Sequence, residues 1–206
     1  MKLWIHSLVG LLGCLAVSGE AADRPNILFI YTDDQSTRTV SCYEEPHSWV
    51  NTPNIDALAA AGVRFEHAYI GSWCMTSRAS LLTGLQQHGI ESMRMEGQYP
   101  GSAYDPEQCR FWPSVFRKNG YTTAHIGKWH TGADDGFGRD WDYQIVWNRP
   151  KYVENSPYYY DNQLIVKNGG EPKMTKGYTT DNYTCLLYTS DAADDMQCVD
   201  LGGRRI

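Results

Sequence analysis

Cys74 and Arg78 stand four residues apart in the run Cys74-Met75-Thr76-Ser77-Arg78-Ala79-Ser80-Leu81-Leu82-Thr83-Gly84. That spacing puts a thiol and a guanidinium on one face of a helix, one turn apart. A nucleophile beside an arginine at a helix start suits a tetrahedral oxyanion such as sulfate or phosphate. The same residues read equally well as a buried structural cysteine next to a surface arginine. Asp33 and Asp34 form a second candidate group at the end of an apolar run. Paired carboxylates are what Ca2+ or Mg2+ would take as oxygen ligands, although a solvated Asp-Asp turn gives the same pattern. A third candidate is Gly127-Lys128-Trp129-His130, which brings an ammonium and an imidazole together.

These groups need elements to carry them. Ile27–Tyr31 is a continuous apolar run of the length expected for a buried parallel strand, with Asp33-Asp34 at its C-terminal end. Thr52-Pro53 opens a helix with Thr52 as N-cap and Pro53 at the first position, an apolar stripe at Ile55, Leu58 and Ala59, and a stop at Gly62. Val63–Tyr69 alternates like a strand, with His67 read as structural. Leu81 and Leu82 bury the Cys74 helix, and Gly84 ends it. Residues 85–109 read as one long loop. Phe111–Asn119 is a helix closed by Gly120, and Tyr121–Ile126 is a strand that delivers residues 127–132 at its C-terminal end. Leu164–Val166 followed by Asn168-Gly169 predicts a hairpin. Tyr178–Asp181 approaches a further helix without a pattern that continues it. Alternating strands and helices predict an α/β fold, with the Asp33, Cys74 and His130 regions sharing one edge of the sheet.

The chain has 206 residues, a formal charge of −6 and 42% hydrophobic residues, a composition that supports a globular core. It contains no basic run of the kind that nucleic-acid binding needs. Leu3–Val17 behind Met1-Lys2, leading into Ser18–Ala22, has the form of a secretory signal over residues 1–22 rather than a membrane span. Export to the periplasm or medium follows, with lipoprotein anchoring at Cys14 as the minor alternative. The six cysteines include no C-x-x-C pair, so zinc is not indicated. An exported chain leaves a Cys42–Cys109 disulfide open.

Four ordered segments resemble the sulfatase family of the alkaline-phosphatase superfamily. They are Arg24–Gln35, the Thr52–Asp56 helix start, Cys74–Gly84 and Gly127–His130. The resemblance runs from residue 23 to 184 and implies a three-layer α/β sandwich around a mostly parallel sheet, incomplete over this length. It implies that a formylglycine-generating enzyme oxidises Cys74 to formylglycine, the nucleophile toward the sulfur of a sulfate ester. It further implies that Arg78 offsets the charge of that nucleophile and that Lys128 contacts the sulfate oxygens. His130 would hydrogen-bond the formylglycine hydroxyl, and Asp33, Asp34 and residue 74 would face Ca2+ rather than Mg2+. His125 is read as structural.

The implied substrate is a sulfated carbohydrate or another sulfate ester. The alternatives are a phosphonate or phosphodiester hydrolase of the same superfamily, and an inactive remnant that binds sulfated glycans. Aromatic residues at 141, 143, 147, 152 and 158–160 are candidates for stacking on sugars. The sequence departs from the family pattern at Thr76, where the family has Pro or Ala. It departs again at 185–206, which resembles no sulfatase segment and is expected to be a non-native, disordered tail. The 206-residue chain alone is accordingly expected to be inactive and poorly stable.

Overall fold

The computed structural model describes residues 24–90, 106, 110–155 and 158–191. The signal segment, most of the 85–109 loop and the residues after 191 lie outside these. Two compact units are present, Met1–Asp33 and Asp34–Ile206. The described part of the first unit has no secondary structure, and Ile27, Leu28, Phe29 and Ile30 are exposed. The strand expected at 27–31 is therefore absent. An apolar run records a preference for burial on both faces, but a strand exists only through its ladder partners.

In the second unit, α1 (Pro53–Ala61) begins and ends where Pro53 and Gly62 predict. Thr52 occupies the N-cap, yet its hydroxyl does not cap the helix. It bonds instead to Asp56 Oδ1 at 3.0 Å, while Ser41 donates to Asp56 Oδ2 at 2.6 Å. The expected apolar stripe is not buried, and Ile55 and Leu58 are exposed. Val63–Tyr69 is likewise irregular and exposed rather than a strand, His67 included.

The core is a sheet in the order β1 (Ala124–Trp129), β2 (Tyr143–Asn148), β3 (Gln163–Lys167), β4 (Lys173–Thr175). Only β1–β2 is parallel, and the other two pairs are antiparallel, so this sheet is mixed where a mostly parallel one was expected. The hairpin signal explains the difference. Asn168 and Gly169 both have positive φ, 50° and 66°, which lets β3 fold straight back into β4. The strand before Lys128 starts three residues later than expected and runs through Trp129.

Helices cover both faces of the sheet, and strand alternation sorts the side chains between them. On one face Trp129, Val146 and Val166 pack with Ala79 and Leu82 of α2 (Cys74–Thr83), Phe111 before α3 (Trp112–Lys118), Ile90 and Trp141. On the other face Ile145, Trp147 and Ile165 pack with Ile126, Tyr143, and Tyr183 and Leu186 of α4 (Thr179–Asp191). This is a helix–sheet–helix sandwich of the expected α/β class. Residues 185–191, expected to be disordered, instead continue α4. Tyr183 and Leu186 are three apart and share the helix face that covers the sheet. Cys42 is a free thiol, and Cys109, its candidate partner, lies outside the described residues.

Candidate active site

The start of α2 is a tightly tied turn. Trp73 is extended at the N-cap, and its carbonyl accepts the first ladder bond from Ser77 N at 2.9 Å. The Thr76 hydroxyl donates to the same carbonyl at 3.1 Å. Thr76 thus ties the first turn by a hydrogen bond. Buried Ser77 donates to Gly71 O at 2.8 Å. A Cβ at Gly71 would lie 2.6 Å from Ser77 N and 2.7 Å from Thr76 C, so the incoming chain approaches α2 as only glycine allows. Met75, Ala79 and Leu82 fill the core face, leaving Cys74 and Arg78 half-buried on the flank. Gly84 closes the helix in the left-handed region, with its N–H on Ser80 O.

The other half of the site is the end of β1. Trp129 is buried, edge-on to Phe111 at 5.8 Å, and donates through Nε1 to Gly132 O at 3.0 Å. That anchor leaves Lys128 and His130 half-buried on either side of it. The loop after His130 is held by buried side chains of β2. Gln144 Nε2 donates to Asp135 O at 2.7 Å, and Asn148 Nδ2 donates to Ala133 O at 2.9 Å.

The two halves meet through Cys74 and Arg78. Cys74 Sγ lies 3.3 Å from His130 Nδ1. Arg78 Nη1 donates to Lys128 O at 2.9 Å. The side chains of Cys74, Arg78 and His130 thus gather around the backbone of Lys128, whose own side chain leaves the sheet on the face of Trp147. Asp34, exposed and in the left-handed region with φ 57°, opens the second unit, and Asp33 closes the first. Among the described residues no three of His, Cys, Asp or Glu are grouped so as to hold a metal ion. The chain's described residues therefore do not by themselves make the calcium shell expected from Asp33, Asp34 and residue 74.

Arg78 also sets the local electrostatics. His125 packs between Trp129, at 5.5 Å, and Trp141, at 5.1 Å, the structural placement read from the sequence. Burial first, and then the charge of Arg78, push its pKa down to about 3. Burial raises the Tyr183 hydroxyl well above the tyrosine range, with Arg78 acting in the opposite direction.

The sign of the His125 effect on stability follows by linkage. The unfolded chain takes up the imidazole proton below about pH 6.5, whereas the folded chain refuses it down to about 3. Stability is therefore full above that upper value and falls as the pH drops through the window, by up to about 1.4 kcal/mol per pH unit. Urea midpoints measured across this range should show the slope, and His125→Phe should flatten it. An unchanged slope in that variant would remove His125 as the cause.

The aromatic candidates also separate. Trp141 and Trp147 are buried, Tyr143 and Tyr152 are half-buried against the core, and Tyr158, Tyr159 and Tyr160 are exposed. Strand β2 and Arg149 were missed at the level of sequence, whereas Tyr159 was among the stacking candidates. The alternation of Gln144, Val146 and Asn148 against Tyr143, Ile145 and Trp147 was the available signal for β2. Nothing local marked Arg149.

The sulfatase family profile matches residues 25–195. N-acetylglucosamine-6-O-sulfatase of Bacteroides thetaiotaomicron is 32% identical over 180 residues, 85% of this chain and 29% of that protein. Human arylsulfatase A is 40% identical over 60% of this chain and 24% of that protein. The uncharacterized sulfatase YidJ of Escherichia coli is 35% identical over 63% of this chain and 26% of that protein. This chain spans less than a third of the length of each of these relatives. Among solved structures, Ps i-CgsB matches with a TM-score of 0.56 and 26% identity, over 78% of this chain and 40% of the other. The same protein in complex with k-i-k-neocarrahexaose matches at 0.57 and 25%, over 80% of this chain and 41% of the other.

Proposed function

The chain belongs to the sulfatase family, and from that premise we propose that it forms the nucleophile-bearing part of an exported hydrolase of sulfate esters on carbohydrates. The observation that carries this reading is the approach of Cys74 Sγ to His130 Nδ1 at 3.3 Å, at the start of a helix that also presents Arg78. A carbohydrate substrate is supported by the N-acetylglucosamine-6-O-sulfatase relative and by the oligosaccharide-bound neighbour. Export is supported by the segment at 1–22, and no helix among the described residues is long and apolar enough to cross a membrane.

Oxidised to formylglycine by its generating enzyme, residue 74 would supply a hydrated aldehyde as the nucleophile toward the ester sulfur. The half-buried position of Cys74 on the first turn of α2, facing an imidazole, fits that group. His130 is within reach to take a hydroxyl proton from residue 74 and to return it later. Arg78, braced on Lys128 O, holds its charge one turn from residue 74 and offsets negative charge as the ester oxygen departs with the alcohol. Lys128 adds a second cation beside the transferred group. Asp33 and Asp34 are proposed as two carboxylates of a Ca2+ site. Two carboxylates leave a shell of about six to eight oxygens unfilled.

Mass spectrometry of the Cys74 peptide from the exporting host tests the reading, together with sulfate release by the full-length protein. The expected peptide is about 18 Da lighter than the thiol form, since SH and H give way to an aldehyde oxygen. An unmodified thiol in every molecule would overturn it.

A further inference from the structure

Lys128 and Trp147 are register partners on β1 and β2, so their side chains leave the same face of the sheet. Trp147 is a fixed wall on that face. It is buried, and its Nε1 donates to buried Asn155 Oδ1 at 2.8 Å. The Tyr159 ring stands edge-on to Trp147, with centroids 5.0 Å apart and planes at 80°. Lys128 Nζ lies 5.2 Å from the Tyr159 centroid. Arg149 Cζ lies 4.6 Å from the same centroid and 5.3 Å from that of Trp147. Arg149 Nη1 also donates to the Tyr159 hydroxyl.

Although it lies outside any strand or helix, Tyr159 is held in place through its backbone. Gln163 Nε2 donates to Tyr158 O at 2.8 Å and to Tyr159 O at 3.3 Å. The Thr179 hydroxyl donates to Tyr159 O at 2.9 Å, and Thr179 N donates to Tyr160 O at 2.8 Å. Gln163 and Thr179 are both buried, so sheet and helix α4 together anchor the backbone that carries the ring.

We propose that Tyr159, held by Arg149 and Trp147, is the positioning residue for the Lys128 ammonium. A lysine head group sits on a flexible four-carbon stem and is a poor point of support unless something restrains it. An aromatic face within about 6 Å attracts an ammonium, increasingly as water is excluded. The Tyr159 ring supplies that restraint from beside the strand, while the Arg78 bond to Lys128 O fixes the backbone of the same residue. Arg149 carries its own charge to the ring and, by bonding the hydroxyl, sets the ring's tilt. Its role is to hold Tyr159, and Lys128 remains the group that faces the transferred anion. The proposal rests on the reading of Lys128 as a sulfate-contacting residue.

The test is a cycle on the full-length protein with 4-nitrophenyl sulfate as the probe. Tyr159→Phe keeps the ring face and should stay within about threefold of wild-type kcat/KM. Tyr159→Leu removes the face and should lower kcat/KM about tenfold. In a Lys128→Ala background, Tyr159→Leu should cost nothing further. An equal loss in both backgrounds would show a merely structural role and overturn the proposal. A readout independent of turnover comes from the methylene protons next to the Lys128 ammonium. The Tyr159 ring should shift their NMR signals upfield, and the shift should vanish in Tyr159→Leu and persist in Tyr159→Phe. Wild-type protein that shows the ring shift but cleaves no sulfate ester would sink the sulfatase reading alone. The absence of that shift in the wild-type protein would sink the positioning role.

Discussion

Cys74→Ala in the full-length protein is expected to abolish sulfate-ester hydrolysis, lowering kcat by about 10⁴-fold or more while leaving KM little changed. The substitution removes the atom that faces His130 and touches little else. Cys74 lies on the half-buried flank of α2, the core face being carried by Met75, Ala79 and Leu82. Alanine is the better helix former, and Trp73 O, Thr76 and Ser77 continue to tie the first turn. Far-UV circular dichroism and the thermal midpoint should therefore match wild type, which assigns the loss to chemistry. Sulfate release followed by ion chromatography is the direct measurement. Activity within tenfold of wild type would mean that some other group attacks the ester.

Arg78→Ala should lower kcat by about 10²–10³-fold, the usual effect of removing one preorganised donor or cation from a site where charge develops. It should also destabilise the protein by about 1–3 kcal/mol, because the guanidinium links α2 to the β1 backbone at Lys128 O. The two effects can be separated. Arg78→Lys keeps a positive charge but loses the planar fork that reaches the carbonyl of Lys128. It should recover part of the rate and little of the stability. A further readout lies at His125, whose pKa is pushed down in part by Arg78. Without Arg78 that pKa should rise, so the acid limb, which still opens near pH 6.5, should end at a higher pH and lose less stability in total. An acid limb that stays in place would contradict the electrostatic link between the two residues.

How far the sequence reached can be judged element by element. The Cys74 helix was legible to the residue, because its start and its stop are local events. A tied turn opens it, and a glycine with φ 71° closes it. The α1 boundaries were legible for the same reason, and those of α3 to within one residue at each end, with Pro at the first turn of each. The Asn168-Gly169 turn was also legible, since positive φ at consecutive residues is a backbone property of those side chains. Three readings went astray where the deciding interaction was not local. Ile27–Tyr31 and Val63–Tyr69 have strand-like patterns but no ladder. Residues 185–191 had no recognisable pattern of their own, and the sheet face nonetheless took Leu186 against Ile145 and Trp147.

The sequence by itself determined which residues are able to do chemistry here, and that Cys74, Arg78, Lys128 and His130 come in blocks set by short-range rules. Only the tertiary structure decided which of them meet. Cys74 and His130 are 56 positions apart and come within 3.3 Å because Trp129, Phe111 and Ala79 share one buried cluster that seats α2 against the end of β1. It also decided the part of Arg149 and Tyr159, which no motif announces. Their place beside Lys128 follows from strand register and from backbone bonds made by Gln163 and Thr179. The physical reason is the range of the forces involved. Turns, caps and helix spacing are written within a few residues, whereas a site is assembled by packing between elements that the chain order keeps apart.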